Sequence, residues 1–144
     1  IVGEILDRTN IPYIAIDNNL RLVTKFFKEN KPVFYGDISH SNILTNLHID
    51  EARAVVLAIP EQKILTKVVK EIITKYPNAH LIVRTTDLEH YNALKKLGAN
   101  MIIPELYELG LQISSEILSL SGAQKEEVIE TIDNFRTHFT TNRN

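Results

Sequence analysis

The sequence has no cysteine, which excludes a disulfide frame and a thiolate metal site and fits a cytosolic compartment. No apolar run approaches the roughly 18–20 residues of a membrane-spanning helix. No contiguous run of Lys or Arg forms a basic stripe. The net charge of −2 over 144 residues gives no field that would hold nucleic acid. There is no G-x-S-x-G, no readable Ser–His–Asp order and no pair of carboxylates placed for acid–base work. His40 and His48 flank a short helix, and His80, His90 and His138 are scattered. None has the i, i+4 spacing with a supporting acid that a metal site needs. The histidines read as surface residues, with no metal site and no catalytic residue expected. The chain opens without Met, at the mouth of a helix, and shows no signal peptide.

What is present is a strong alternation. Hydrophobic residues make up 44% of the chain, enough to bury the core of one domain. Gly3 to about Asn10 reads as a short helix with Ile5 and Leu6 inward, stopped by Pro12. Ile11 to Ile16 is a continuous apolar run that suits a strand buried on both faces. Asn18 or Asn19 can cap the next helix, with Leu20, Val23 and Phe27 at helical spacing. Pro32 to Tyr35 is a strand, broken by Gly36-Asp37. Ser39 or Ser41 can cap a short helix through Leu44 and Leu47. Ala54 to Ile59 is a wholly apolar strand.

The helix over 61–76 carries Ile64, Leu65, Val68, Val69, Ile72 and Ile73 on one stripe. A strand follows at Leu81 to Arg84. Asp87 caps a helix that Gly98 ends. A last strand covers Met101 to Ile103. A helix over 106–120 aligns Leu106, Leu109, Ile113, Ile117 and Leu120. After Ser121-Gly122, a final helix puts Val128, Ile132, Phe135 and Phe139 on one face. Alternating strands and helices predict an α/β fold, a Rossmann-like doubly wound parallel sheet, with a C-terminal helical arm. A nucleotide-binding βαβ unit needs a strand before its glycine loop, so a first strand is expected before Gly3.

Three features sit at successive strand ends, where a doubly wound sheet places its ligand. Gly3 can be the last glycine of a G-x-G-x-x-G loop, or a chance glycine. Asp17 lies near the expected separation of about 20 residues from such a loop. A carboxylate there accepts both ribose hydroxyls and repels a 2′-phosphate, favouring NAD or AMP over NADP; otherwise it caps the next helix. Gly36-Asp37 permits a tight turn whose acid can bond an adenine amino group or cap the helix beyond. Arg84, also at a strand end, suits bidentate anion recognition, or a salt bridge to Asp87 or Glu105.

The runs PYIAIDNN, KPVFYGDISHSNIL, ARAVVLAIPE and HLIVRTTDLEHYNALKKLGANMIIPE resemble a regulator of potassium conductance (RCK/KTN, TrkA-N). The resemblance is strongest to the nucleotide-binding domain of Kef-type potassium/proton antiporters and covers residues 1 to about 120. It implies a domain on the cytoplasmic face of a membrane transporter that binds NAD(H) or AMP without consuming it. It implies that Gly3 matches the last fingerprint glycine, Asp17 with its neighbour Asn18 the ribose site, and Asp37 and Ile38 the adenine-side turn. Ala58 and Ile59 match the floor below the nucleotide, and Arg84 an arginine facing the ligand and the partner subunit. In glutathione-gated members the arginine region also serves the tripeptide.

The resemblance divides the chain at 1–120, a Rossmann-like domain, and 121–144, a helical arm. Partners so implied are a second copy, meeting through the C-terminal helix and the Rossmann face, and a membrane transport domain. Two other readings stand beside this one: an NAD-dependent oxidoreductase domain, and a dimerising interaction module whose nucleotide site is vestigial.

Overall fold

The computed structural model describes residues 1–86 and 88–141. Asp87, the cap expected for the helix after it, lies outside the described residues, as do 142–144. The chain divides into two compact units, Ile1–Glu51 and Ala52–Asn144.

The first unit is built on a strand–helix–strand crossover. Helix α1 (Val2–Arg8) comes first, then β1 (Ala15–Asp17), α2 (Leu20–Lys28), β2 (Val33–Tyr35) and α3 (Ser41–Asn46), with a single 3-10 turn at Ile49–Glu51. β1 and β2 pair in parallel, with Ala15 opposite Val33, Ile16 opposite Phe34 and Asp17 opposite Tyr35. The strand is shorter than the apolar run predicts. Ile11 and Ile14 are exposed and precede it. Ile5 is exposed too, so α1 does not turn it inward.

Both α1 and α2 stop on an asparagine in the left-handed region, Asn10 and Asn30, each at φ 55°. The following N–H reaches back to close the last turn, Ile11 to the Leu6 carbonyl at 2.9 Å and Lys31 to the Phe26 carbonyl at 3.0 Å. Asparagine tolerates that conformation better than other non-glycine residues.

The second unit contains β3 (Val55–Leu57), α4 (Gln62–Lys75), β4 (Leu81–Thr85), α5 (Leu88–Leu97), β5 (Met101–Pro104), α6 (Glu105–Leu120) and α7 (Lys125–Thr141). Its strands form a parallel sheet in the order β3-β4-β5. The α4 stripe is borne out: Leu65, Val68, Val69 and Ile72 are buried, together with Leu57, Leu81, Val83, Tyr91 and Leu94. Gly98 ends α5 at φ +100° as expected, a conformation that strains any side chain.

The α6 stripe is different. Leu106, Leu109, Ile113, Ile117 and Leu120 are all exposed, and the buried residue of that helix is Leu111. The side of α6 that packs is the one turned to α7. There Tyr107 Oη donates to the Phe135 carbonyl at 2.9 Å. Arg136 pairs with Glu108 at 3.0 Å and with Asp133 at 2.8 Å, and its hydrogen bond to Glu108 raises the guanidinium pKa further. Phe139 stacks on Tyr107 at 4.0 Å and meets Tyr91 edge-on at 5.0 Å. The C-terminal helix therefore packs on α6 and α5 of its own chain, with Val128 buried and Phe135 exposed.

Candidate functional site

In the first unit the parallel pairing brings the C-terminal ends of β1 and β2 side by side, and with them Asp17, Asn18, Gly36, Asp37 and Ile38. The Gly36 N–H donates to the Asp17 carbonyl at 3.1 Å and ties the two ends together. Asp17 Oδ1 accepts from the Asn19 N–H at 2.7 Å. Asn19 in turn caps α2, its side chain accepting from the Arg21 and Leu22 N–H groups at 3.1 and 3.3 Å. So the cap is Asn19, and Asp17 supports it from one oxygen. The second oxygen, Oδ2, has no protein partner among the described residues. Asn18 is exposed beside it.

Asp37 is engaged by its own turn. Its Oδ1 accepts from the Ser39 N–H at 2.9 Å, and Oδ2 lies 3.7 Å from His40 Nε2. His40 occupies the cap position of α3 without a side-chain hydrogen bond. Asp37 and Ile38 are half-buried.

The glycines of this unit answer to close approach. A Cβ on Gly36 would lie 2.9 Å from Ile16 Cγ2 and 3.2 Å from Ile43 Cδ1, so α3 comes close to β1 only because that position is bare. Gly36→Ala is expected to destabilise the first unit by about 1–3 kcal/mol, the cost of overpacking a filled space, as urea denaturation would show. A Cβ on Gly3 would lie 2.7 Å from Tyr13 Oη and 2.9 Å from its ring. Gly3 thus makes room for Tyr13, whose hydroxyl donates to Asp7 Oδ2 at 3.4 Å. Lys31 pairs with the same carboxylate, and that hydrogen bond raises the lysine's pKa.

In the second unit, Ala58 and Ile59 follow β3 directly, exposed and half-buried respectively. Arg84 sits near the C-terminal end of β4, opposite Ile103. Its guanidinium is paired with Glu105, the first residue of α6, one of the two acids the sequence suggests for it.

His90 departs from the sequence reading. It is buried rather than on the surface. Its Nε2 lies 2.9 Å from Thr66 Oγ1 and its Nδ1 3.3 Å from Thr85 Oγ1. Thr66 already donates its proton to the Gln62 carbonyl at 2.8 Å, so it can only accept from the ring. The other ring nitrogen, Nδ1, faces the Thr85 hydroxyl. The signal was available: His90, Leu94 and Leu97 fall at i, i+4 and i+7, the inward stripe of α5. Among the described residues, no group of three or more His, Cys, Asp or Glu is placed to hold a metal.

Parallel strands joined by helical crossovers, with an acid at the end of β1, define a Rossmann-like α/β protein. The sequence profile of the TrkA-N domain matches residues 1–105, and the chain belongs to the TrkA-N domain family. Among curated relatives, it is 30% identical over 137 residues to K(+) efflux antiporter 1, chloroplastic, of Arabidopsis thaliana, spanning 95% of this chain and 12% of that protein. It is 26% identical over 141 residues to the glutathione-regulated potassium-efflux system protein KefC of Salmonella arizonae, spanning 98% of this chain and 23% of the relative. The chain thus spans less than a quarter of the length of either. Among solved structures, the Shewanella denitrificans Kef CTD in AMP-bound form superposes with a TM-score of 0.70 at 19% identity, covering 90% of this chain and 93% of that one. No helix among the described residues is long and apolar enough to cross a membrane.

Proposed function

We propose that this chain is the regulatory domain of a potassium transport system of the Kef potassium/proton antiporter kind. In this reading it binds an adenine nucleotide, AMP or NAD(H), and gates ion movement through a membrane transport domain in the same or a partner chain, from the cytoplasmic face. The observation that carries it is Asp17. One carboxylate oxygen is spent on the Asn19 N–H, which fixes the group's orientation, and the other is left for a ribose hydroxyl. The relatives support the transport setting, and the AMP-bound Kef structure shows that this fold holds such a ligand in another protein.

Gly3, Asn18, Asp37 and Ile38 are the further residues proposed for nucleotide binding in the first unit. Ala58, Ile59 and Arg84 are proposed as ligand-facing in the second, where an anion would compete with Glu105 for the guanidinium. The chain acts as a sensor: binding biases two states with different contacts, without turnover. A second copy is the proposed partner. It would cover the open α6 stripe and the exposed Phe135 of the C-terminal helix, with 121–144 serving as the dimer arm.

Calorimetric titration with AMP, NAD⁺ and NADH, with absorbance followed for NADH oxidation, tests the reading. Saturable binding without oxidation is expected. Oxidation on adding a carbonyl substrate would move the chain to the oxidoreductases. No binding by any of the three would leave a dimerising module with a vestigial site.

A further inference from the structure

The outer side of α2 carries a row of cations that the linear sequence conceals. Arg21, Lys25 and Lys28 recur at i, i+4 and i+7, which stacks them on one face of a helix with 3.6 residues per turn. The opposite side holds the buried Val23 and the half-buried Phe26. No two of the three cations are adjacent in sequence, so no basic run shows. Residues 18–31 hold four Lys or Arg and one acid, Glu29. Subtracting them from the chain's 16 basic and 18 acidic residues leaves 12 against 17 elsewhere, so the segment is positive on an otherwise negative protein.

Lys31 is paired with Asp7. Arg21, Lys25 and Lys28 make no ion pair among the described residues; Lys25 only lies over the Phe26 ring, 5.6 Å from its centroid. They line a shallow groove with Leu20, Thr24 and Glu29. On one shoulder of the row stand two large apolar side chains in water, Leu20 at 62% and Phe27 at 70% exposure.

We infer that this face docks on an anionic lipid bilayer surface. Its charge is complementary to such a surface, and its geometry favours lipid over an acidic protein segment. No hydrogen bond presets Arg21 or Lys28 for a particular carboxylate, and all three cations ride on flexible stems. A bilayer's diffuse negative potential asks for charge and reach rather than fixed geometry. Leu20 and Phe27 can enter the headgroup boundary beside the row while the cations stay at headgroup level. In the proposed transport setting, on which this choice of surface rests, a membrane lies within reach. The inference's structural observations lie in the first unit alone and are independent of nucleotide binding.

Co-sedimentation of the whole chain with vesicles tests it. One set is pure phosphatidylcholine; the other is phosphatidylcholine and phosphatidylglycerol in equal parts. At about 1 kcal/mol for each of three cations near an anionic surface, binding to the anionic vesicles should exceed binding to the neutral ones on the order of 100-fold. It should fall as salt is added. The charge-reversed variant Arg21→Glu/Lys25→Glu/Lys28→Glu should lose the preference with its helix content intact by circular dichroism. Leu20→Ser/Phe27→Ser should weaken binding to anionic vesicles while keeping the salt dependence.

Equal binding of the wild type to both vesicle types, or an undiminished preference in the charge-reversed variant, overturns the inference. Failure to bind anionic vesicles at all, with retention on an acidic polypeptide such as polyglutamate, overturns it in favour of a protein partner. Should the charge-reversed variant unfold, the salt titration of the wild type and Arg21→Gln/Lys28→Gln, which is expected to lose part of the preference, still decide the matter.

Discussion

Asp17→Ala should weaken the binding of AMP, NAD⁺ and NADH by roughly 10- to 150-fold, the worth of about 1.5–3 kcal/mol for a hydrogen bond to a charged group. The loss should be similar for all three, because all three present the same adenosine ribose. Two effects combine. The free Oδ2 that would accept a ribose hydroxyl disappears, and so does the Oδ1 bond at 2.7 Å that fixes the start of α2. Asp17→Asn separates them. It keeps a side-chain carbonyl for the Asn19 N–H but removes the charge and one acceptor, so stability should return while affinity stays low. Calorimetric titration beside a thermal melt reads both quantities. Full affinity in Asp17→Ala would reduce that residue to a support for the Asn19 cap.

The second large effect is on stability. Leu94→Ala should destabilise the second unit by about 2–5 kcal/mol, the range for emptying a fully buried leucine site. Leu94 is 0% exposed on α5, which packs against α4, β4 and β5. For a unit of this size each kcal/mol moves the melting temperature by about 4–8 °C, so the shift should reach about ten degrees or more. Leu120→Ala is the contrast. That side chain is 87% exposed, and its loss should stay within about 0.5 kcal/mol in the dilute single chain. Urea denaturation of both variants followed by circular dichroism tests the pair. A cost below about 1 kcal/mol for Leu94→Ala would mean that the site collapses around the missing side chain.

Which parts of this structure could be read in advance follows from where packing is local. The α4 stripe, the Gly98 stop and the parallel pairing of the apolar runs were legible because each depends on periodicity or on one residue's backbone freedom. The α6 face was not. Its leucines and isoleucines fall in line at helical spacing, and such a line ordinarily turns to the core. Here the partner of α6 is α7, which touches the Leu111 side, a tertiary choice that spacing does not encode.

The site was legible in the same uneven way. Asp17 at a strand end could be read from an apolar run followed by an acid. Asn19 as the cap and Glu105 as the partner of Arg84 were each one of two candidates in the sequence; which of the two is taken, and that Gly36 lets α3 approach β1, are matters of a few ångströms. His90 was missed because spacing to other ligands was sought, whereas the informative spacing was to Leu94 and Leu97.

The Thr66–His90–Thr85 chain has one more consequence. It ties α4, α5 and the end of β4 together through one imidazole: Nε2 faces a hydroxyl whose own proton goes to the Gln62 carbonyl, and Nδ1 faces the last residue of β4. The imidazole is thus a polar rivet in an apolar core, joining two helices and a strand through one side chain.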